Sequence, residues 1–240
     1  MNRTGIDMSP EDAEEMIQRV SSTGSVKDLS GAADGPEQAL ASYRERDMTE
    51  AAPIGSVPMP GTLKGVAKTG LQKLMGNQPE VLIDKLAGRL AFERTGTRLY
   101  DALVGKCSSK REAPEGLPLE QLLTFRNDEA RHFTMLWDAI RELGADPTAQ
   151  TPEADINGVA SLGLVQIVGD PRTSIAQSIH AIHLAELADH DGWELLIQLT
   201  REMGHREMAE RFEQALREES KHLEAIRQVL QRTTLAEAGR

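Results

Sequence analysis

Two stretches of this sequence repeat one pattern position for position. The first reads Leu122, Phe125, Glu129, His132, Phe133, Leu136, Ile140; the second reads Phe212, Ala215, Glu219, His222, Leu223, Ile226, Leu230. Residues three, four, seven and eleven apart share one face of an α-helix. Each stretch is therefore a helix whose apolar stripe is interrupted by Glu-x-x-His. Two further stripes carry a glutamate in the same place: Leu82, Leu86, Leu90, Glu93, Thr97, Tyr100, Val104, and Ile175, Ile179, Ile182, Glu186, Trp193, Leu196. Four core-facing carboxylates in one fold repel one another, and an unpaired buried carboxylate is too costly to keep ionised. Something must neutralise them.

The spacing predicts four long helices, at 81–105, 119–143, 171–203 and 205–232. Pro118 suits a helix start, Asp170-Pro171 reads as an N-cap with proline at the first helical position, and Gly144 and Gly204 stand where helices end. The third and fourth helices are joined so tightly that they should be antiparallel neighbours. Roughly 27 residues separate the second and third, counted between those expected bounds, which is enough to cross a whole bundle, with room for a short helix around 159–168. No strand pattern competes, and aromatics at 3% disfavour a β-sandwich. The expected fold is all-α, a four-helix bundle over 81–240 with a long crossover between helices 2 and 3.

Residues 1–80 differ in texture: 22 of these positions are Gly, Pro or Ser. They read as an extension of short helices, at 9–20 and 37–50, on Pro/Gly linkers such as 52–61. The segment 62–75 sets Leu63, Val66, Leu71 and Leu74 against Lys64, Lys68 and Lys73. Such a basic amphipathic arm could pack on its own acidic bundle, dock a partner, or lie on an acidic membrane surface.

No Lys or Arg stands centrally on the four stripes; Arg89 is marginal. Two divalent cations would balance the four glutamates, and His132 and His222 would bring the ligands to six. Residues at i and i+3 share a helical face, so a Glu-x-x-His pair can reach one metal. Glu93 and Glu129 are 36 residues apart, and Glu186 and Glu219 are 33 apart. Those spacings suit two antiparallel helix pairs with their glutamates at one depth.

This pattern resembles the ferritin-like superfamily, which includes bacterioferritin, rubrerythrin and manganese catalase, over about two-thirds of the chain. The resemblance implies Glu93 and Glu186 as single-glutamate ligands, and Glu129 with His132 and Glu219 with His222 as the two Glu-x-x-His pairs. It further implies that Glu129 and Glu219 bridge the metals. Tyr100, seven residues after Glu93, resembles the tyrosine beside the metals in bacterioferritin-like sites. With only Cys107, the chain lacks the rubredoxin-type iron site of rubrerythrins. The sequence ends soon after the fourth helix, which argues against the fifth helix of cage-forming ferritins.

Other residues are open to plainer readings. His183 and His190 flank Glu186 and could donate to ligands, relay protons, serve as alternative ligands or simply be satisfied at the edge of the core. Asp189 is the weaker ligand on its helix because it is short and off the stripe centre. Trp137 and Trp193 read as packing, the acidic runs at 207–210 and 218–219 as solvated apart from Glu219, and Cys107 as an ordinary loop thiol. A net charge of −11 offers no basic excess for nucleic acid. No apolar run reaches the roughly 18 residues of a transmembrane helix, and the N-terminus lacks a secretory h-region. The cytoplasm is the expected location.

A carboxylate-rich, histidine-poor site suits hard metals such as iron or manganese. The expected function is di-iron redox chemistry with O2 or peroxide, of ferroxidase or oxidase type, on Fe²⁺, peroxide or a small organic substrate. Manganese catalase-like peroxide dismutation is the alternative within the class. A bundle, possible as a homodimer, whose metal only ties the helices together is the alternative outside it.

Overall fold

The computed structural model describes residues 79–239, together with 44–46, 48–51 and 57–58. Five long helices follow one another: α1 (Pro79–Lys110), α2 (Leu119–Glu142), α3 (Pro152–Gly169), α4 (Ile175–Glu202) and α5 (Arg206–Glu237). The described residues contain no strand, and no helix among them is long and apolar enough to cross a membrane. The helix expected at 9–20 and the basic segment 62–75 lie outside the described residues. Of the helix expected at 37–50, residues 44–46 and 48–50 are described, and they are helical.

Helix directions follow from which ends share a core. One apolar cluster joins the first half of α1 (Leu82, Leu86, Leu90) to the end of α2 (Leu136, Ile140), the end of α4 (Trp193, Leu196) and the start of α5 (Met208, Phe212). A second joins the last half of α1 (Leu99, Leu103) to the start of α2 (Leu122, Phe125), the start of α4 (Ile179, Ile182) and the end of α5 (Ile226, Val229). So α1 and α5 run one way, α2 and α4 the other. The four stripe glutamates fall between the two clusters, as a polar layer in an apolar column. Val57 belongs to the first cluster, which brings that residue of the expected linker into the core.

Because α2 and α4 run in the same direction, the chain must return along the whole column between them. α3 does this, with Ala154 packed on the first cluster and Val168 buried in the second. Its start is fastened to α1: Asp84 accepts a 3.0 Å bond from the Glu153 amide, and Lys85 pairs with Glu153. Gly88 permits the approach, since a Cβ there would lie 2.9 Å from both Asn157 and Glu153. At its far end, Lys106 Nζ donates to the carbonyls of Asp170 and Thr173 at 3.0 and 3.2 Å and to Ser178 Oγ at 2.9 Å.

Boundaries differ from expectation where capping chemistry was misjudged. α4 starts at Ile175 rather than 171, because Ser174 and Gln177 form a complete capping box. Asp170, expected as that N-cap, instead closes α3 and pairs with Arg172. α3 is 18 residues long, more than the short piece expected. Cys107 is a buried residue inside α1, not a loop thiol. Gly144 and Gly204 take the left-handed backbone expected past a helix end, with φ of 84° and 81°.

Candidate metal centre

The six expected ligands meet. Glu93 on α1, Glu129 and His132 on α2, Glu186 on α4, and Glu219 and His222 on α5 are all at most 3% exposed. Ligating atoms of Glu129, Glu186, Glu219 and His222 lie within 4.8 Å of one another, and so do those of Glu93, His132 and Glu219. Glu219 belongs to both groups. Glu129 joins Glu93 and Glu219 in a third, which also takes in Asp189.

Each single glutamate is held by one oxygen only. Arg89 Nη2 donates to Glu93 Oε1 at 2.7 Å, and the Tyr100 hydroxyl donates to Glu186 Oε1. The other oxygens, Glu93 Oε2 and Glu186 Oε2, are buried without a hydrogen-bond partner. The same is true of Glu219 Oε1 and His132 Nδ1, which are 2.7 Å apart but lack the angles of a hydrogen bond. Buried polar atoms without partners are rare, and a concentration of them asks for a ligand. Carboxylate oxygens and imidazole nitrogens at this spacing fit a pair of hard divalent cations.

The histidines are aimed by carboxylates that sequence reading had passed over. His132 Nε2 lies 2.9 Å from Glu218 Oε2, and His222 Nε2 lies 3.1 Å from Asp128 Oδ2. Both Nδ1 atoms therefore face inward: that of His132 is 3.6 Å from Glu93 Oε2, and that of His222 is 3.2 Å from Glu219 Oε2 and 3.6 Å from Glu129 Oε1. The arrangement is reciprocal, because the residue before each Glu-x-x-His glutamate holds the histidine of the other helix. Arg131 donates to both outer carboxylates, Asp128 and Glu218. A carboxylate on the outer nitrogen fixes the tautomer and orientation of a ligating histidine. Asp128→Asn and Glu218→Gln should each weaken metal binding about 10- to 100-fold while leaving the helical circular dichroism intact.

The buried groups settle their charges by sharing protons. Burial, reinforced by Glu219, pushes the Glu186 carboxyl up to about 8, and burial with the Glu219 charge raises Glu129 well above the usual range. Burial opposes a charge on His132, but the Glu219 and Glu93 carboxylates overcome it and raise the imidazole to about 11. Asp128, Glu129 and Glu219 likewise overcome burial and raise His222. Glu219 would be raised by burial, but its two histidine neighbours bring it down to about 2. Tyr100 is driven up by burial and by the Glu186 and Glu129 charges, so its hydroxyl remains a proton donor.

Gly96, one turn from Glu93, makes room for Glu129: a Cβ at this position would lie 2.0 Å from Glu129 Oε2. Gly96→Ala removes a helix-interior glycine, worth roughly 0.5–1 kcal/mol of helix stability, yet forces the Glu129 carboxylate aside. The expected result is a thermally stable variant with markedly weaker metal binding, read by melting and by metal titration.

Four sequence expectations need correction. Arg89 is not marginal: it is buried, stacks over Phe92 and Trp193 at 4.7 and 5.5 Å, and pairs with both Glu93 and Asp189. Asp189 is 2% exposed and belongs to the buried cluster. The signal available was Gly192, whose missing side chain admits the guanidinium; a Cβ there would lie 2.3 Å from Arg89 Nη1. His190 stands apart from the centre, half-buried in an otherwise exposed group with Asp191 and Glu194. Glu218, expected to be solvated, holds His132. His183 is in none of the ligand groups, and burial beside Arg227 and His180 lowers its pKa. Trp193 packs as expected, edge-on to His132 and against Phe212.

Compared with models of known families, with curated proteins and with solved structures, the chain matches none. The functional reading therefore rests on the geometry of the site.

Proposed function

We propose that this chain is a ferritin-like dinuclear-metal protein, with α1, α2, α4 and α5 as its four-helix bundle and α3 within the crossover. Its metals are read as iron, its oxidant as O2 or peroxide, and its chemistry as ferroxidase or oxidase type, carried out in the cytoplasm. One observation carries the reading: two buried ligand groups share Glu219 and contain carboxylate and imidazole atoms with no protein partner. One group offers Glu186 and His222, the other Glu93 and His132, with Glu219 and Glu129 between them.

Two bound metals would supply electrons and open positions for an oxidant. The chain's own residues do the rest. Glu93 and Glu186 present one oxygen each, because Arg89 and Tyr100 hold the other. His132 and His222 present Nδ1, because Glu218 and Asp128 hold Nε2. Tyr100 keeps its proton at the hydroxyl and donates a hydrogen bond to Glu186 Oε1. The apolar clusters on either side exclude water from the layer, which strengthens every interaction in it.

Mixing oxygen with protein loaded anaerobically with Fe²⁺ tests this reading. It predicts oxygen uptake and a ferric absorbance far faster than in buffer or in the Glu219→Gln protein. Oxidation no faster than in buffer would remove the redox function and leave a metal that only ties helices together. Manganese-loaded protein that evolves oxygen from peroxide would favour dismutation instead.

A further inference from the structure

A second site lies on the outside of the bundle, where α1, α2 and the start of α3 enclose a cavity of about 420 Å³. That size is within the range of small-molecule pockets. Its walls include Leu90, Phe133, Trp137, Val159 and Leu162, with Arg94 at the side. Phe133 and Trp137 stand 6.0 Å apart and form the aromatic wall. Val159 and Leu162 are 68% and 55% exposed, so together they present an apolar edge to the pocket mouth.

Most polar side chains of this pocket are already hydrogen-bonded within the protein. Asp155 accepts from Gln150 Nε2 at 2.7 Å, and Thr148 bonds Asp146. Arg94 is different: neither a carboxylate nor a carbonyl among the described residues bonds it. The exposed Arg94 guanidinium stands beside an aromatic and aliphatic wall, an arrangement that suits one kind of guest. We propose that this pocket binds an organic carboxylate with an apolar body, such as a medium-chain fatty acid, its carboxylate on Arg94 and its chain along Phe133, Trp137, Val159 and Leu162. Arg94 supplies the charge-assisted pairing, and the walls supply the area removed from water. The site is separate from the metal centre, although Arg94 follows Glu93 and Phe133 follows His132 in the chain.

The test uses the full chain, metal-free and metal-loaded, so a failed metal reading leaves it standing. Dodecanoate, kept below its micellar concentration, is titrated against tryptophan emission and by calorimetry. Trp193 is fully buried and Trp137 lines the pocket, so the emission change belongs to Trp137 and should vanish in Trp137→Phe. One dodecanoate should bind per chain, at least about tenfold more tightly than dodecanol or dodecyltrimethylammonium. Arg94→Gln should erase that preference, Arg94→Lys should keep most of it, and Val159→Glu should abolish binding with the helical content unchanged. Equal affinity for dodecanol, or binding that survives Val159→Glu, would overturn the proposal. So would a dimer of this chain that Val159→Glu dissociates while dodecanoate fails to bind, because the face would then belong to a second copy.

Discussion

Metal-free protein is expected to lose stability steadily as the pH rises from about 5 to 8, whereas the metal-loaded protein is not. The carboxyl of Glu186 titrates near 8 in the fold and that of Glu129 well above its ordinary value of 4.5. The folded state therefore holds two protons that the unfolded chain has released by pH 5. Each proton held in this way lowers unfolding free energy by about 1.4 kcal/mol per pH unit. Above pH 6.5 the raised histidines act in the same direction, since His132 and His222 stay charged when folded and not when unfolded. Glu219 works oppositely, but only below 4.5, where acid removes its contribution. Across the window the metal-free melting temperature should fall by roughly 10 °C or more. Metal displaces these same protons, so loading at pH 7 should release up to about four per chain, measurable by calorimetry in buffers of different ionisation enthalpy. A flat melting temperature in the metal-free protein would mean that the glutamates do not share one core.

Glu219→Gln should abolish tight binding at both positions, the largest functional loss of any single substitution. Glu219 is the residue common to both ligand groups, and it lies against both His132 and His222. An amide keeps the volume but loses the charge and one acceptor, so both positions lose a ligand at once. Glu93→Gln and Glu186→Gln should each impair one position and spare the other. The metal-free variant loses the carboxylate that pairs with both histidines, so it should melt below the wild type while its circular dichroism remains helical. Two metals bound at wild-type affinity to the Glu219→Gln protein would refute the shared role.

The meeting of these six residues was legible in the sequence because helical periodicity converts spacing into direction. Glu129 with His132 and Glu219 with His222 had to face inward if Leu136 and Ile226 did. The all-helical class was legible for the same reason. What escaped was chemistry that depends on contact between helices. Asp128 and Glu218 sit beside stripe residues and look solvated in one dimension; only the approach of α2 to α5 puts each against the other helix's histidine. Arg89 and Asp189 are two off-stripe charges on different helices, and only Gly192, three residues after Asp189, hints at room for the guanidinium. His190 shows the reverse error, for it has a favourable spacing from Glu186 but turns toward Asp191 and solvent. The start of α4 was misplaced because Asp170-Pro171 and the Ser174–Gln177 box are both good N-caps, and the box satisfies two backbone groups rather than one.

The most direct measurement is the number of metal ions per chain. Metal-free protein titrated anaerobically with Fe²⁺, and separately with Mn²⁺, should take up two ions per chain. Glu219→Gln should hold neither tightly, and surface Glu210→Gln should match the wild type. Stoichiometric uptake of two ions that disappears with Glu219 is the predicted result. Uptake of one ion per pair of chains, or none with the six ligands intact, would contradict the account.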